Sequence, residues 1–327
     1  MTISKTKITA RAHTNIALIK YWGKANQKLK LPTTSSLSLT LNDFYTDTSV
    51  LFKPELTEDK ISFNNEILSP IKAKRIVHFL DLVRKMANSN LYAEVYTINH
   101  VPTSAGLASS ASGFAALAAA SSKAIGLDLN KKELSRLARR GSGSATRSIY
   151  GGFVEWKKGF SDKSSYAVPF EEQLTWPINM VAVMVNKSEK QMSSSKGMQI
   201  SVATSPYYSA WKKLCKKDLK KIKVAIKNRD FDTMGQIAEE NAMRMHSLTL
   251  SASPDYSYFD ADSLKVMNLV HTLRKNGLAC YFTMDAGPNV KILVEQKNTD
   301  KLVTELQKQF ASDKIVVASS GPGIKYL

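Results

Sequence analysis

The chain has 327 residues, 43% hydrophobic and 23% charged, and its 46 lysines and arginines against 28 aspartates and glutamates give a formal charge of +18. That length suits two packed domains, and two cysteines, Cys215 and Cys280, are too few for a disulfide framework or a cysteine metal site. The sequence shows no apolar leader and no apolar run of roughly 20 residues, so a soluble protein of the reducing cytoplasm is expected, without membrane attachment.

ITARAHTNIALIKYWGK (8–24) reads as a strand entering a polar turn. SSLSLTL (35–41) alternates and predicts a strand, with TDTSVLF (46–52) as its antiparallel neighbour. A strand and turn are expected at 61–67, an amphipathic helix over 72–87 and a strand over 91–100. The next helix should stop at Gly126, and NKKELSRLARRG (130–141) predicts a helix capped by Asn130 and ended by Gly141. Short strands are expected in FVEWKK and SSYAVPF, and MVAVMVN (180–186) should open a second domain. Helices follow near 199–228, 231–247 and 261–276, then strand, glycine turn and strand over 278–294, a helix over 298–309 and a last strand over 314–319. The pattern predicts two α+β domains, 1–179 and 180–327, with the ligand site in the cleft between them.

The net charge invites a nucleic-acid reading, which is the alternative of a different class. The lysines of KKLCKKDLKKIKVAIKNR (212–229) instead fall on a helical pattern, and neither zinc-finger spacing nor basic–aromatic interleaving is present. An anionic small molecule, not nucleic acid, is the expected partner.

PTSAGLASSASG (102–113) lies between a predicted strand and an alanine-rich helix. It lacks the Gly-Lys-Ser/Thr ending of a Walker loop and the G-x-G-x-x-G of dinucleotide folds. Gly106 lets a backbone approach a phosphate, the helix start offers free N–H groups, and Ser109, Ser110 and Ser112 add hydroxyls. GSGSATR (141–147) is a second small polar loop. Its serines and free N–H groups can cradle an oxyanion, and Arg147 offers a fork of donors to a carboxylate or phosphate. Asp285 ends a strand before Ala286-Gly287-Pro288, a rigid place for a carboxylate. Five histidines without a carboxylate cluster predict no protein metal site.

The loop at 102–113 resembles the ATP-binding loop of the superfamily of galactokinase, homoserine kinase, mevalonate kinase and phosphomevalonate kinase. HTNIALIKYWGK (13–24), GSGSATRSIYGG (141–152), SSSKGM (193–198) and CYFTMDAGPNVK (280–291) narrow the resemblance to the diphosphomevalonate decarboxylase family, over essentially the whole chain. The resemblance implies an N-terminal ribosomal protein S5 domain 2-like domain and a C-terminal ferredoxin-like α/β sandwich. It implies ATP-dependent phosphorylation of the 3-hydroxyl of mevalonate 5-diphosphate, then loss of phosphate and CO2 to give isopentenyl diphosphate. ATP and Mg2+ are the implied cofactors and a homodimer the implied assembly. A kinase of the same fold that stops at phosphorylation is the nearest alternative.

Carried over by resemblance, Asp285 serves the 3-hydroxyl as base or orienting acceptor, with Lys24 and Arg147 beside it as catalytic residues. Tyr21, Lys24, Ser142, Gly143, Ser144, Arg147, Ser194 and Lys196 bind substrate, with Arg147 on its carboxylate. Pro102, Ser104, Gly106, Leu107, Ala108, Ser109, Ser110 and Ser112 bind the nucleotide. The chain departs from the family at Ser195, where arginine is usual, and Lys196 offers a charge one residue later. Asn15 reads as a polar contact, His13 as a structural hydrogen-bonder, Trp22 as packing and His246 as a helix histidine. Lys20 reads as solvent-facing and is not among the expected site residues.

Overall fold

The computed structural model describes residues 3–100, 109–185 and 192–327. Its first half runs β1 (Ile8–Ile19), β2 (Lys24–Asn26), β3 (Leu31–Pro32), β4 (Ser36–Lys53), β5 (Lys60–Phe63), β6 (Glu66–Ile67), α1 (Pro70–Ala87) and β7 (Tyr92–Asn99). Then come α2 (Ser109–Ala124), α3 (Lys131–Gly141), a 3-10 helix (Gly143–Ile149), β8 (Phe153–Trp156) and β9 (Ala167–Glu171). The second half runs β10 (Ile178–Val183), α4 (Ser194–Thr204), α5 (Tyr208–Lys227), α6 (Phe231–Leu250), α7 (Ala261–Lys275), β11 (Cys280–Thr283) and β12 (Val290–Glu295). It closes with α8 (Thr299–Gln307), β13 (Ile315–Ser319) and β14 (Lys325–Tyr326).

Residues 36–53 form one strand, not the two that the sequence predicts. Asn42 and Asp43 look like a hairpin turn, yet β4 passes straight through them while changing partners. Its first part pairs with β8 (Leu39 opposite Phe153) and its second with β7 (Thr46 opposite Asn99). The imidazole Nδ1 of His13 lies 2.9 Å from the Asn42 carbonyl and 3.1 Å from that of Leu41, tying β1 to β4 where the partners change. The helix expected over 199–228 is also two helices, because Ser205-Pro206 breaks it between α4 and α5. Asn130 caps α3 as predicted, and Glu133 completes a reciprocal capping box.

The first sheet runs β14-β1-β4-β7-β5-β6, with β8 and β9 branching from β4. α2 packs on it through Ala115, Ala116, Ala118, Ala119 and Ala120, all fully buried; their small side chains bring the helix close to the strands. The second sheet has the order β11-β12-β10-β13, entirely antiparallel. With α4–α7 after its first strand and α8 before its last, this is the ferredoxin-like arrangement the resemblance implies. β10 begins at Ile178, close to the expected division at 180, while the tail returns to the first sheet as β14, opposite Ala10 and Arg11. Among the described residues no helix is long and apolar enough to cross a membrane.

Candidate active site

β1 delivers the site. Its ladder with β4 is irregular between His13 and Asn15 and again between Ala17 and Ile19, and such irregularities re-aim side chains. The strand ends at Ile19, and Lys20 to Lys24 turn into the interdomain cleft. Gly23 makes the turn possible, with φ +116° and a Cβ position only 1.9 Å from the Tyr208 hydroxyl.

Lys20 is the largest departure from the sequence reading. It is fully buried, not solvent-facing, and its Nζ donates to Asp285 Oδ1 at 2.8 Å and to the Ala17 carbonyl at 2.8 Å. Burial pushes the Lys20 ammonium down from its ordinary pKa, and the Asp285 carboxylate opposes that shift. Asp285 stands just past β11, a quarter exposed to the cleft, with its partner on the other domain.

Arg147 is fully buried. Its Nε donates to Asn15 Oδ1 at 3.0 Å and its Nη1 to Ser36 Oγ at 2.6 Å. Asn15 is held in turn by Ser148 Oγ at 2.8 Å and the Ser144 carbonyl at 3.0 Å. Asn15 therefore orients the guanidinium from a buried position. Burial lowers the Arg147 pKa to about 10, against the pull of Asp285, so it stays charged at neutral pH.

The α3–3-10 junction supplies the hydroxyls. Ser142 Oγ lies 3.3 Å from Ser110 Oγ and 3.2 Å from Ser144 Oγ, so the start of α2 and the second polar loop share one surface. Gly143 sits where a Cβ would come within 2.7 Å of the Tyr21 ring. That ring packs on Trp156 at 4.7 Å, which makes Tyr21 the floor beneath the serines. Ser112, two residues along α2, points the other way. It is fully buried and bonds Thr46 Oγ1 at 2.8 Å, in the helix–sheet interface. Pro102, Ser104, Gly106, Leu107 and Ala108 lie outside the described residues, as does the side chain of Ser109.

Lys24 Nζ reaches across the cleft to Ser195 Oγ at 2.8 Å. Ser194 opens α4 half-buried beside it, and Lys196 is exposed, its backbone N–H on the capping Ser193 hydroxyl. Thus the residue at the family's arginine position meets Lys24, while the side chain of Lys196 stands in solvent. Trp22 is buried packing, as expected.

A basic wall that the sequence reading missed flanks the serines. Lys30, Lys74, Arg75 and Arg140, with Phe79 and Gly141, line a cavity of about 390 Å³. Lys30 and Arg75 both donate to the Gly141 carbonyl, next to Ser142. Burial and then the neighbouring Arg75, Lys24 and Arg140 push the Lys30 ammonium down to about 8. Burial, then Arg75, likewise lowers Lys24. A cleft so charged is built to take a polyanion. Its residues come from the β2–β3 loop, α1 and α3, and local spacing gives no hint of their meeting.

His246 lies on α6 behind the Lys20–Asp285 pair, 1% exposed, its ring 4.7 Å from that of Phe259. Burial, then Lys20, lowers its pKa to about 3, so the imidazole is neutral. Unfolding restores a pKa near 6.5, so the unfolded state binds the extra proton between those values and stability falls on acidification. At pH 5 the loss relative to pH 7.5 is about 2 kcal/mol from this residue. Urea unfolding at both pH values should show it, and His246→Leu should remove that share of the slope.

Among the described residues no group of three or more His, Cys, Asp or Glu side chains could hold a metal ion. A magnesium ion would be held mainly by phosphate oxygens, with the serine hydroxyls of Ser110, Ser142 and Ser144 as the neutral protein groups able to share it.

Comparison with known proteins identifies the family and the fold. The model of the diphosphomevalonate decarboxylase-like N-terminal domain matches residues 12–167, and that of the mevalonate 5-diphosphate decarboxylase C-terminal domain matches residues 180–322. The diphosphomevalonate decarboxylase of Debaryomyces hansenii is 36% identical over 93% of this chain and 83% of its own. That of Homo sapiens is 35% identical over 87% of this chain and 76% of its own. The crystal structure of mevalonate diphosphate decarboxylase from Staphylococcus aureus superposes with a TM-score of 0.94 at 47% identity, covering 98% of both chains. A structure of MDDEF in complex with MVAPP, AMPPCP and magnesium does so with a TM-score of 0.93 at 49% identity, again over 98% of both. With both domains matched and the fold superposed end to end, the chain belongs to the diphosphomevalonate decarboxylase family.

Proposed function

We propose that the cleft performs the family reaction with the residues described. The protein is an ATP-dependent decarboxylase of mevalonate 5-diphosphate, with ATP and Mg2+ required. The observation that carries the residue assignment is the Lys20–Asp285 pair, a carboxylate from one domain held by a buried cation from the other.

The chemical obstacle is a tertiary alcohol, a poor leaving group. Asp285 accepts the hydrogen bond of the 3-hydroxyl and so aims the hydroxyl oxygen at the γ-phosphorus of ATP. Lys20, donating at 2.8 Å, fixes the carboxylate in direction. The hydroxyl oxygen bonds to phosphorus as the bond to ADP breaks, and the hydroxyl proton leaves to base or solvent. Phosphate then departs with the C3–O bonding pair. The carboxylate's C–C bonding pair closes the new double bond, and CO2 is released. Arg147 orients that carboxylate from a fixed position, without gripping it in a bidentate clamp that would hold the ground state. Ser142, Ser144, Lys24 and Ser194 take the diphosphate, over the Tyr21 floor. The glycine- and serine-rich loop before α2 and the basic wall take the triphosphate. Magnesium, when bound, neutralises phosphate charge between the substrates.

The test is a paired assay with mevalonate 5-diphosphate, ATP and Mg2+, following ADP and CO2 together. Equal release supports the decarboxylase. ADP without CO2 means a kinase that stops halfway, with Ser195 and Lys196 the first residues to revisit. Lys20→Met should lower kcat roughly 10- to 100-fold with KM for ATP nearly unchanged. An unaltered kcat would remove Lys20 from the mechanism. Cytoplasmic location is supported by two buried, unpaired thiols, Cys215 and Cys280. A homodimer is supported by the family resemblance, and light scattering on the purified protein tests it.

A further inference from the structure

The backbone N–H of Lys20 leaves the β1–β4 ladder and is buried, so it needs another acceptor. It donates to Asn241 Oδ1 at 2.8 Å, from α6 of the other domain. Asn241 is itself fully buried, and its Nδ2 donates to Asp218 Oδ2 at 2.9 Å. That carboxylate oxygen also accepts from Arg244 Nη1 at 2.8 Å, and Asp218 is 5% exposed. The partners fix the carboxamide's direction, since a peptide N–H demands its oxygen and a carboxylate demands its nitrogen.

We propose that Asn241, held by Asp218, is a positioning residue for catalysis: it clamps the main chain of Lys20 to α6, so that the ammonium meets Asp285 at a fixed separation of the two domains. The clamp acts on the main chain of the residue whose ammonium holds Asp285. A shift of the Lys20 backbone of even 1 Å moves Nζ off Asp285, and misplacements of that size are costly to rate. Ordinary core packing would not require a buried Asn241–Asp218 pair, anchored at its outer end by the part-exposed Arg244, to end on this one peptide. The inference rests on the reading that Lys20 and Asp285 serve the reaction.

The experiment compares variants with an active wild type, so a wild type that releases no CO2 refutes the reading of the reaction and not the clamp. Asn241→Asp sets two buried carboxylates against each other, so that the donor to Asp218 is regained only when the pair takes up a proton. It should lower kcat at least about 30-fold, leave KM for ATP within about threefold, and shift the acid limb of the kcat–pH profile. The double variant D218N/N241D restores every donor and acceptor in the chain with the charge moved inward, and kcat should return to within roughly tenfold of wild type. Asn241→Ala, measured where it is more than nine-tenths folded by circular dichroism, should reproduce the kcat loss. Three results would overturn the clamp: kcat loss no larger than the unfolded fraction, a pH profile unchanged in Asn241→Asp, or no recovery in the double variant.

Discussion

Replacing Asp285 with alanine lowers kcat by about 10³- to 10⁴-fold, while the affinity for ATP stays within a few-fold of wild type. The carboxylate is the group placed to orient a hydroxyl, and its geometry is set twice. Its main chain follows directly from β11, where the Gly287 N–H bonds its carbonyl at 2.8 Å. Its Oδ1 is held by the Lys20 ammonium. Asn at this position keeps the shape and loses the charge, so Asp285→Asn should fall nearly as far. Alanine also strips Lys20 of its carboxylate, leaving a buried cation with the Ala17 carbonyl, and some stability goes with it. Isothermal titration with a non-hydrolysable ATP analogue separates that loss from the loss of chemistry. A kcat within tenfold of wild type would remove Asp285 from its role.

Arg147→Leu should lower kcat/KM for mevalonate 5-diphosphate by about 10²- to 10³-fold, which is roughly 3–4 kcal/mol. The same change should leave ATP binding intact and the melting temperature within a few degrees of wild type, since relief of the desolvated charge offsets the hydrogen bonds that buried Asn15 and Ser36 lose. The second half follows from burial. The Arg147 charge is fully desolvated and bonded to neutral groups, Asn15 and Ser36, with Asp285 as the acid acting on it from a distance. A site that holds a charge at such cost keeps it for its ligand, and a hydrocarbon of similar volume relieves the fold. Equal losses toward both substrates together with a lower melting temperature would mark Arg147 as structural. Arg147→Lys should not rescue, because one ammonium nitrogen cannot occupy both positions of the fork whose Nε bonds Asn15 and whose Nη1 bonds Ser36.

Much of this site is legible in the chain because its parts are short contiguous blocks. The serines of 142–144, the DAGPN turn and the YWGK turn each fold locally and carry their chemistry with them. What sequence hides is where a long side chain ends. Lys20 closes an apolar strand, and a flexible cation there reads as a residue reaching for water; its partner is 265 positions away. Ser110 and Ser112 look equivalent in a serine-rich string, but two residues along a helix turn them to different faces. Asn42-Asp43 carries turn-forming residues, and tertiary pairing with β7 and β8 overrides that local preference. The basic wall draws on residues from 30 to 140, so no window of the sequence contains it.

The return of β14 to the edge of β1 has a consequence for how the protein is made. A ribosome releases β1 early, and the strand then waits for a neighbour encoded after the entire second domain. The Gly152 N–H bonds the Gly321 carbonyl at 3.0 Å and Gly321 bonds back to Thr40 at 2.8 Å, so this late segment also seals the junction beside β8. During synthesis the nascent first sheet therefore carries an open edge, and such edges recruit other strands. A slow last step in refolding from denaturant, the docking of β14 on β1, is the expected consequence of this topology.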